Sequence, residues 1–173
     1  MSATRLASLA DAAELADLYR ANREFLAPWE PVRDEEFFTE AGQRAGLRVL
    51  LDDHAHGRAV PRLILDSGGA IAGRINLVDI VRGAFQSGNL GYWVSGAANG
   101  RGLATRAVGE IVRIAFGELG LHRVQAATLV RNERSQRVLE RNGFVRYGLA
   151  PDYCKIAGRW QDHVLFQVVR AEG

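Results

Sequence analysis

The stretch that decides the fold is residues 92–105, which read Tyr92-Trp93-Val94-Ser95-Gly96-Ala97-Ala98-Asn99-Gly100-Arg101-Gly102-Leu103-Ala104-Thr105. The pattern predicts a strand that ends in small residues and glycines directly before a helix. Such a connection points several backbone N–H groups at the space beyond the helix N-terminus, a geometry that binds phosphate. A plain glycine turn is the alternative interpretation. A dinucleotide-binding fold is disfavoured, because its motif prefers a third glycine where Thr105 stands.

On both sides of this stretch, the hydrophobic pattern predicts strands and helices in alternation. The predicted elements are a strand Arg5–Leu9, a helix Asp11–Asn22, a helix Glu35–His56, strands Leu63–Leu65, Ala70–Val81 and Asn89–Ser95, a helix Gly102–Leu119, a strand His122–Val130, a helix Asn132–Asn142, and strands Phe144–Leu149 and Val164–Val169. This order predicts a mixed sheet of about seven strands flanked by helices, in the α/β (α+β) class. No linker or repeat interrupts it, so residues 1–173 are predicted to form a single domain.

The composition is that of a soluble globular protein of ordinary domain size. The chain has a mass of 19.0 kDa, and 47% of its residues are hydrophobic and 24% are charged. The single cysteine, Cys154, forbids an intramolecular disulfide, and the N-terminal residues lack the order of a signal peptide. No apolar run is long enough to span a membrane. We therefore expect a cytoplasmic protein with no membrane partner.

The charge pattern argues against nucleic acid as a direct partner. The 22 Lys and Arg residues exceed the 20 Asp and Glu residues by only two, whereas phosphate-backbone binding needs several cations gathered on one face. Four arginines do recur at helical spacing, namely Arg131, Arg134, Arg137 and Arg141. We favour a solvated helix face for them, with a binding site as the alternative.

Three motifs give the sequence a resemblance to a known family. The run Asn99-Gly100-Arg101-Gly102-Leu103-Ala104 resembles Gln/Arg-x-x-Gly-x-Gly/Ala, the acetyl-CoA signature of the GNAT superfamily of N-acetyltransferases, although Asn99 departs from the usual Gln or Arg. Downstream, Asn132-Glu133-Arg134-Ser135 and Leu139-Glu140-Arg141-Asn142-Gly143-Phe144 resemble the Asn-x-x-Ser and Leu-Glu-Lys-x-Gly-Phe elements of the same superfamily. The segment 155–166 narrows the resemblance to the ribosomal-protein-alanine N-acetyltransferases, the Rim-type branch.

The resemblance implies a GNAT-like domain with a mostly antiparallel sheet whose central strands splay apart. It implies acetyl-CoA as cosubstrate, with the pyrophosphate on backbone N–H groups of the glycine loop and the pantetheine arm along the strand end at Val94. Asn132 is expected to bond the pantetheine amides, or to cap a helix. The implied cofactor-binding residues are Val94, Asn99, Gly100, Arg101, Gly102, Leu103, Ala104, Thr105, Asn132 and Ser135. No metal is expected, because His54 and His56 are spaced to lie on different helix faces.

Transfer of an acetyl group from a thioester to an amine needs a stabilised oxyanion, a proton for the thiolate and a neutral amine. The resemblance suggests the backbone N–H of Val94 for the oxyanion. For the thiolate, Ser135 is the candidate, because the Asn-x-x-Ser spacing faces it toward the same ligand as Asn132; helix capping is its alternative role. Many relatives instead carry a tyrosine where this chain has Leu139, which cannot donate a proton, so Ser135 or a water must serve. Relatives often carry a glutamate base at the position of Asn89, and asparagine cannot accept a proton.

The missing carboxylate favours an N-terminal α-amine as the acceptor. An α-amine with a reference pKa near 8 is about a tenth neutral at pH 7, whereas lysine, near 10.4, is neutral less than about once in a thousand. With the resemblance, this predicts acetylation of a protein N-terminus of the ribosomal-protein type. A small-molecule amine, such as an antibiotic or a polyamine, and a non-catalytic acyl-CoA-binding protein are the alternatives. Specificity is expected around Trp29 and in Ala150–Trp160, and a homodimer is left open.

Overall fold

A seven-stranded mixed sheet forms the centre of the computed structural model, which describes residues 2–171. The strands are Thr4–Leu6 (β1), Val60–Leu65 (β2), Ile71–Val81 (β3), Ser87–Val94 (β4), Arg123–Leu129 (β5), Val145–Ile156 (β6) and Arg159–Val169 (β7). Their spatial order is β1-β2-β3-β4-β5-β7-β6. The predicted mixed sheet of about seven strands is therefore confirmed.

Five α-helices flank the sheet in the part of the chain that the structure describes. They are Ala12–Ala21 (α1), Arg23–Leu26 (α2), Glu40–Ala55 (α3), Leu103–Arg113 (α4) and Glu133–Glu140 (α5). The predicted start of the second helix at Glu35 is wrong, because a separate 3-10 turn covers Glu36–Phe38. Thr39 then adopts an extended backbone, and its hydroxyl accepts a hydrogen bond from the Gly42 amide at 3.1 Å. This cap restarts the helix at Glu40.

Two further predicted elements extend beyond their observed ends. The helix predicted as Gly102–Leu119 is α-helical only to Arg113 and continues as a π-helical turn, Ile114–Glu118. The first strand ends at Leu6 rather than Leu9, because Ser8 begins a 3-10 turn.

The C-terminal hairpin is longer than the sequence pattern suggests. The prediction ended one strand at Leu149 and began the next at Val164, but both strands continue to a turn at Ala157-Gly158. These two turn residues have φ angles of 50° and 80°. The alternation of apolar and polar residues is interrupted there, because the register of β6 against β7 slips between Ala150 and Cys154. The hairpin therefore reaches further toward the loop that follows α2 than predicted.

The two central strands separate toward their carboxyl ends. Strands β4 and β5 run parallel and pair only over Ser87–Asn89 and Arg123–Gln125. Beyond this short ladder, β4 stays paired with β3 as far as Val94, and β5 stays paired with β7 as far as Leu129. A gap therefore opens between β4 and β5, which confirms the expected splay. Ligands of such sheets commonly bind outside the carboxyl ends of strands.

Apolar side chains on both faces of the sheet hold the helices in place. Leu63 and Ile64, consecutive on β2, are both fully buried but belong to different clusters, because side chains alternate between sheet faces. The Ile64 cluster includes the inner face of α4, with Ala107 and Ile111. The Leu63 cluster includes residues of α1 and α3. Packing of α4 on the sheet fixes the helix start beside the gap.

Candidate active site

The loop between β4 and α4 has the conformation that its glycines predict. Gly100 and Gly102 have φ angles of 78° and 74°, in the left-handed region that favours glycine. Gly102 is the N-cap residue of α4, so the first amides of the helix, at Leu103, Ala104 and Thr105, have no partner within the helix. These amides can donate hydrogen bonds to an anion at the helix N-terminus.

A buried asparagine ties this loop to the end of α1. The Asn22 side-chain oxygen accepts hydrogen bonds from the Gly96 amide at 2.9 Å and from the Ser95 hydroxyl at 3.1 Å. Its side-chain nitrogen donates to the Leu18 carbonyl at 2.8 Å. The sequence suggested only that Asn22 ends a helix. Its three bonds hold the loop in place before any ligand arrives.

A cavity of about 470 Å³ lies against the loop. Seven of the residues expected to bind the cofactor line this cavity, namely Val94, Asn99, Gly100, Gly102, Leu103, Ala104 and Thr105. The side chain of Leu103 is buried in the core, so it offers its backbone, and Arg101 is not among the lining residues described. The role of all these residues in binding acetyl-CoA stays a prediction.

Three of the four clustered arginines also line this cavity. Arg134, Arg137 and Arg141 are exposed, as the solvated-face interpretation predicted, but they face the glycine loop across the cavity. Arg131 instead donates to the Pro28 carbonyl at 2.7 Å and to the Gln161 side chain at 2.5 Å. Three guanidinium groups opposite free helix amides form a strongly anion-attracting site. For Arg134, Arg137 and Arg141, the geometry therefore supports a binding site, which the sequence analysis gave as the alternative to a solvated helix face.

The backbone N–H of Val94 points into the gap between β4 and β5. The next amide, at Ser95, donates to the Ala72 carbonyl on the β3 side at 2.8 Å. Because successive amides of a strand alternate in direction, the Val94 N–H points away from β3. The pairing of β4 with β5 has already ended at Asn89. The amide is therefore positioned as an oxyanion donor must be, and that role stays a prediction.

Ser135 meets a tyrosine that the sequence analysis did not consider. The Tyr92 hydroxyl lies 2.8 Å from the Ser135 hydroxyl oxygen and 3.1 Å from the Ser135 carbonyl oxygen. Both residues line a cavity of about 390 Å³ that shares Val94 with the first cavity. Burial raises the pKa of Tyr92 to about 12, so the phenol keeps its proton at neutral pH. No local pattern signals this contact, because the partners lie on separate elements.

Asn132 has the capping role that was one of its two expected roles. It is the N-cap of α5, and its side-chain oxygen accepts a hydrogen bond from the Ser135 amide at 3.2 Å. The residue also lines the 390 Å³ cavity beside Ser135. Its side-chain nitrogen is left for a ligand, and the bond to the pantetheine amides stays a prediction.

A third cavity, of about 190 Å³, lies in the gap between β4 and β5. It shares Tyr92, Trp93 and Ser135 with the second cavity. Its polar lining also includes Glu30, Thr128 and His163. The Ala157 amide, at the tip of the β6–β7 hairpin, donates to the Glu30 carbonyl at 2.9 Å. The Trp29 loop and the Ala150–Trp160 segment, both expected to set specificity, are thus in contact.

A larger cavity, of about 890 Å³, lies on another face of α4 and shares Thr105 with the 470 Å³ cavity. Glu110 is central to it and accepts hydrogen bonds from the Ala3 amide at 2.8 Å and the Thr4 hydroxyl at 2.9 Å. Burial acts to raise the pKa of Glu110, but the hydrogen bonds it accepts outweigh burial and lower that pKa. These contacts attach β1 to α4 and leave the carboxylate well partnered.

Three other expectations concerned a base at position 89, metal ligands and membrane-spanning helices. Asn89 is exposed, donates to the Asp79 carboxylate at 3.2 Å, and is not among the residues described as lining the three cavities. Between residues 2 and 171, no three His, Cys, Asp or Glu side chains are grouped as metal ligands. None of the helices described is both long and apolar enough to cross a bilayer.

Comparisons with known proteins agree with this geometry. Residues 4–145 match the family model described as the acetyltransferase (GNAT) domain. The chain is 39% identical over 162 residues to the ribosomal protein uS5-alanine N-acetyltransferase of Escherichia coli (strain K12), which covers 93% of this chain and 84% of that protein.

Two solved structures are similar over nearly the whole chain. The ribosomal-protein-S5-alanine acetyltransferase of Vibrio fischeri is 36% identical with a TM-score of 0.92, covering 96% of this chain and 91% of that one. Mycobacterium smegmatis RimJ in complex with CoA-disulfide is 30% identical with a TM-score of 0.91, covering 96% of this chain and 80% of that one. With the splayed sheet and glycine loop, these similarities show that the chain belongs to the GNAT acetyltransferase family.

Proposed function

We propose that the protein is an acetyl-CoA-dependent N-acetyltransferase that transfers acetyl directly to the N-terminal α-amine of a ribosomal protein. The observation that carries the proposal is the row of three cavities with shared walls. An anion site lies at one end, Val94 and Ser135 lie in the middle, and the Trp29 loop borders the other end. The acceptor class rests on the relatives from Escherichia coli and Vibrio fischeri, both named for a ribosomal-protein alanine.

The first two cavities suit acetyl-CoA. The free amides at the start of α4 and the guanidinium groups of Arg134, Arg137 and Arg141 suit the pyrophosphate and the other phosphate of CoA. The open edge of β4 at Val94 suits the amides of the pantetheine arm. A related structure, Mycobacterium smegmatis RimJ, holds CoA as a disulfide. These observations support acetyl-CoA as the cosubstrate.

The groups needed for the chemistry lie where the cavities join. The Val94 N–H stabilises the oxyanion as the amine attacks the thioester carbonyl carbon. The Ser135 hydroxyl donates its proton to the thiolate sulfur as the carbon–sulfur bond breaks. The Tyr92 phenol, protonated at neutral pH, lies 2.8 Å from the Ser135 oxygen and supplies a proton to it in turn. The attacking nitrogen loses a proton, and this proton returns the Tyr92 and Ser135 hydroxyls to their initial protonated state.

The proposed acceptor also implies where the protein works and with what. A ribosomal acceptor would be met in the cytoplasm, the location that the sequence led us to expect. The proposed partners are acetyl-CoA and a protein N-terminus, with no metal and no direct contact to nucleic acid. A homodimer stays a prediction.

A thiol-release assay with purified protein and acetyl-CoA tests the proposal. We expect turnover with peptides that begin with a free alanine, and none with the same peptides after N-terminal blocking, even when they contain lysine. Polyamines and aminoglycosides serve as the comparison panel. Reaction with small amines alone would transfer the assignment to small-molecule acetylation. Acetyl-CoA binding without turnover on any amine would favour the non-catalytic alternative.

A further inference from the structure

Glu30 is a carboxylate next to the proposed reaction centre that the mechanism above does not use. It lies in the segment between α2 and the 3-10 turn, and the residue lines both the 190 Å³ cavity, with Tyr92 and Ser135, and a neighbouring cavity of about 210 Å³, with Tyr19 and Arg33. The hairpin tip holds its backbone, through the 2.9 Å bond from the Ala157 amide. Glu30 therefore borders the same cavity as Ser135, and the hairpin tip fixes its backbone there.

The Glu30 carboxylate has no hydrogen-bond or ion-pair partner among residues 2–171, although the residue is half-buried. Burial raises the pKa of Glu30, and Arg33 and Arg74 act in the opposite direction without cancelling the effect. The titratable and charged groups around it come from several elements and are Tyr19 (α1), Arg23 (α2), Arg33, Arg74 (β3), Tyr92 (β4) and His163 (β7). An unpaired carboxylate at such a position is costly unless a cation arrives.

A second polar group in the same cavity also lacks a partner. The Thr128 side chain is 5% exposed, and its hydroxyl oxygen forms no hydrogen bond within the described residues. Thr128 lies on β5, on the side of the gap opposite β4, and lines the 190 Å³ cavity with Glu30. Buried hydroxyls nearly always have partners, so this one points to a polar ligand. The cavity holds several times the ~30 Å³ that a water molecule occupies in the liquid.

We propose that Glu30 is the general base, binding the acceptor ammonium in this cavity and accepting its first proton. This rests on the proposed function. The R–NH₃⁺ acceptor gives one proton to the Glu30 carboxylate, and the freed lone pair forms the bond to the thioester carbon. The second proton leaves nitrogen as the carbon–sulfur bond breaks, and it replaces the one that Ser135 gives to the thiolate. The Glu30 carboxyl then releases its proton to solvent.

His163 is the competing candidate in the same cavity. Its Nδ1 lies 2.9 Å from the Gln161 carbonyl oxygen, which can only accept, so Nδ1 carries the hydrogen and Nε2 the lone pair of the neutral ring. The ring also packs against Tyr153, with centroids 5.3 Å apart. An imidazole supplies no negative charge to bind an ammonium, whereas the Glu30 carboxylate supplies both charge and base. This favours Glu30.

The test compares Glu30→Gln with wild type in kcat/KM for an alanine-starting peptide between about pH 6.5 and 9. We expect a loss of about tenfold near pH 7, because the glutamine variant can use only the roughly one tenth of the α-amine that is already neutral. The loss should shrink above about pH 8, where the α-amine is deprotonated without help. Glu30→Asp should retain more activity than Glu30→Gln. Glu24→Gln, an exposed glutamate on α2, is the matched control.

Two readouts separate this role from a structural one. Calorimetric titration of the peptide into the protein–CoA complex should show at least about tenfold weaker binding for Glu30→Gln, and it needs no turnover. The Tm of Glu30→Gln at pH 7 should equal or exceed that of wild type. A carboxyl whose pKa is raised by folding lowers stability once pH exceeds that pKa, and glutamine removes this penalty.

Several outcomes would overturn the inference. These are Glu30→Gln activity within threefold of wild type at every pH, a pH-independent loss with a lowered Tm, or transfer of the pH-dependent loss to His163→Gln. An inactive wild-type protein would instead count against the proposed function. If wild type acetylates only a small amine, the same comparison is made with that amine, so the two failures are distinguishable.

Discussion

Replacing Asn22 with alanine should weaken both the fold and the acetyl-CoA site. The change removes three side-chain hydrogen bonds, but the Leu18 carbonyl keeps its bond from the Asn22 backbone amide. Ser95 is 7% exposed, and its hydroxyl loses its partner, which costs about 1–3 kcal/mol. The Gly96 amide is on an exposed residue and can turn to water, so its lost bond costs about 0.5–1.5 kcal/mol. The expected loss is about 2–4 kcal/mol.

Urea denaturation measures this loss of unfolding free energy, and calorimetric titration measures acetyl-CoA affinity. We expect affinity to fall about tenfold, because a loop without its anchor must be ordered by the ligand. The matched control is Asn89→Ala, which removes one exposed 3.2 Å bond to Asp79 and should change stability by less than about 0.5 kcal/mol. A loss below about 1 kcal/mol for Asn22→Ala, or an unchanged acetyl-CoA affinity, would refute the argument that this asparagine holds the loop.

Four further predictions concern single residues. Ser135→Ala should lower kcat by about 10²- to 10⁴-fold with little change in acetyl-CoA affinity, measured by thiol release and calorimetry. Gly102→Ala introduces a side chain at a φ of 74° and should cost about 1–2 kcal/mol in urea denaturation while weakening acetyl-CoA binding. Arg137→Ala should weaken acetyl-CoA binding and flatten its dependence on salt concentration, as titrations at low and high salt would show. The Arg5 guanidinium bonded to Asp11 lowers the pKa of that carboxyl, so its stabilisation is present above the unfolded pKa and is lost as pH falls through the folded pKa. The stability gap between wild type and Asp11→Asn, followed by urea denaturation, should therefore be largest near neutral pH and should close in acid.

Features that depend on residues close together in the chain were determined by the sequence alone. Gly100 and Gly102 adopt the left-handed conformation that few other residues tolerate, so the loop before α4 could be predicted from its glycines. Asn132 caps α5 through the amide three residues later, a contact within one helical turn. The order of strands and helices followed for the same reason. Local prediction was wrong at Thr39 and Leu149, where a cap and a register slip interrupt an otherwise regular pattern.

The proposed acceptor side of the site was decided only by the tertiary structure. Glu30 stands in a segment without periodicity, and only the hairpin tip and the gap beside β4 bring it to the same cavity as Ser135. Thr128 has an ordinary strand position, and only the packing around it leaves its hydroxyl without a partner among residues 2–171. Tyr92 meets Ser135 across 43 positions of the chain. A cavity is what several packed elements leave unfilled, so its lining depends on how distant segments pack together, which hydrophobic periodicity and local spacing do not encode.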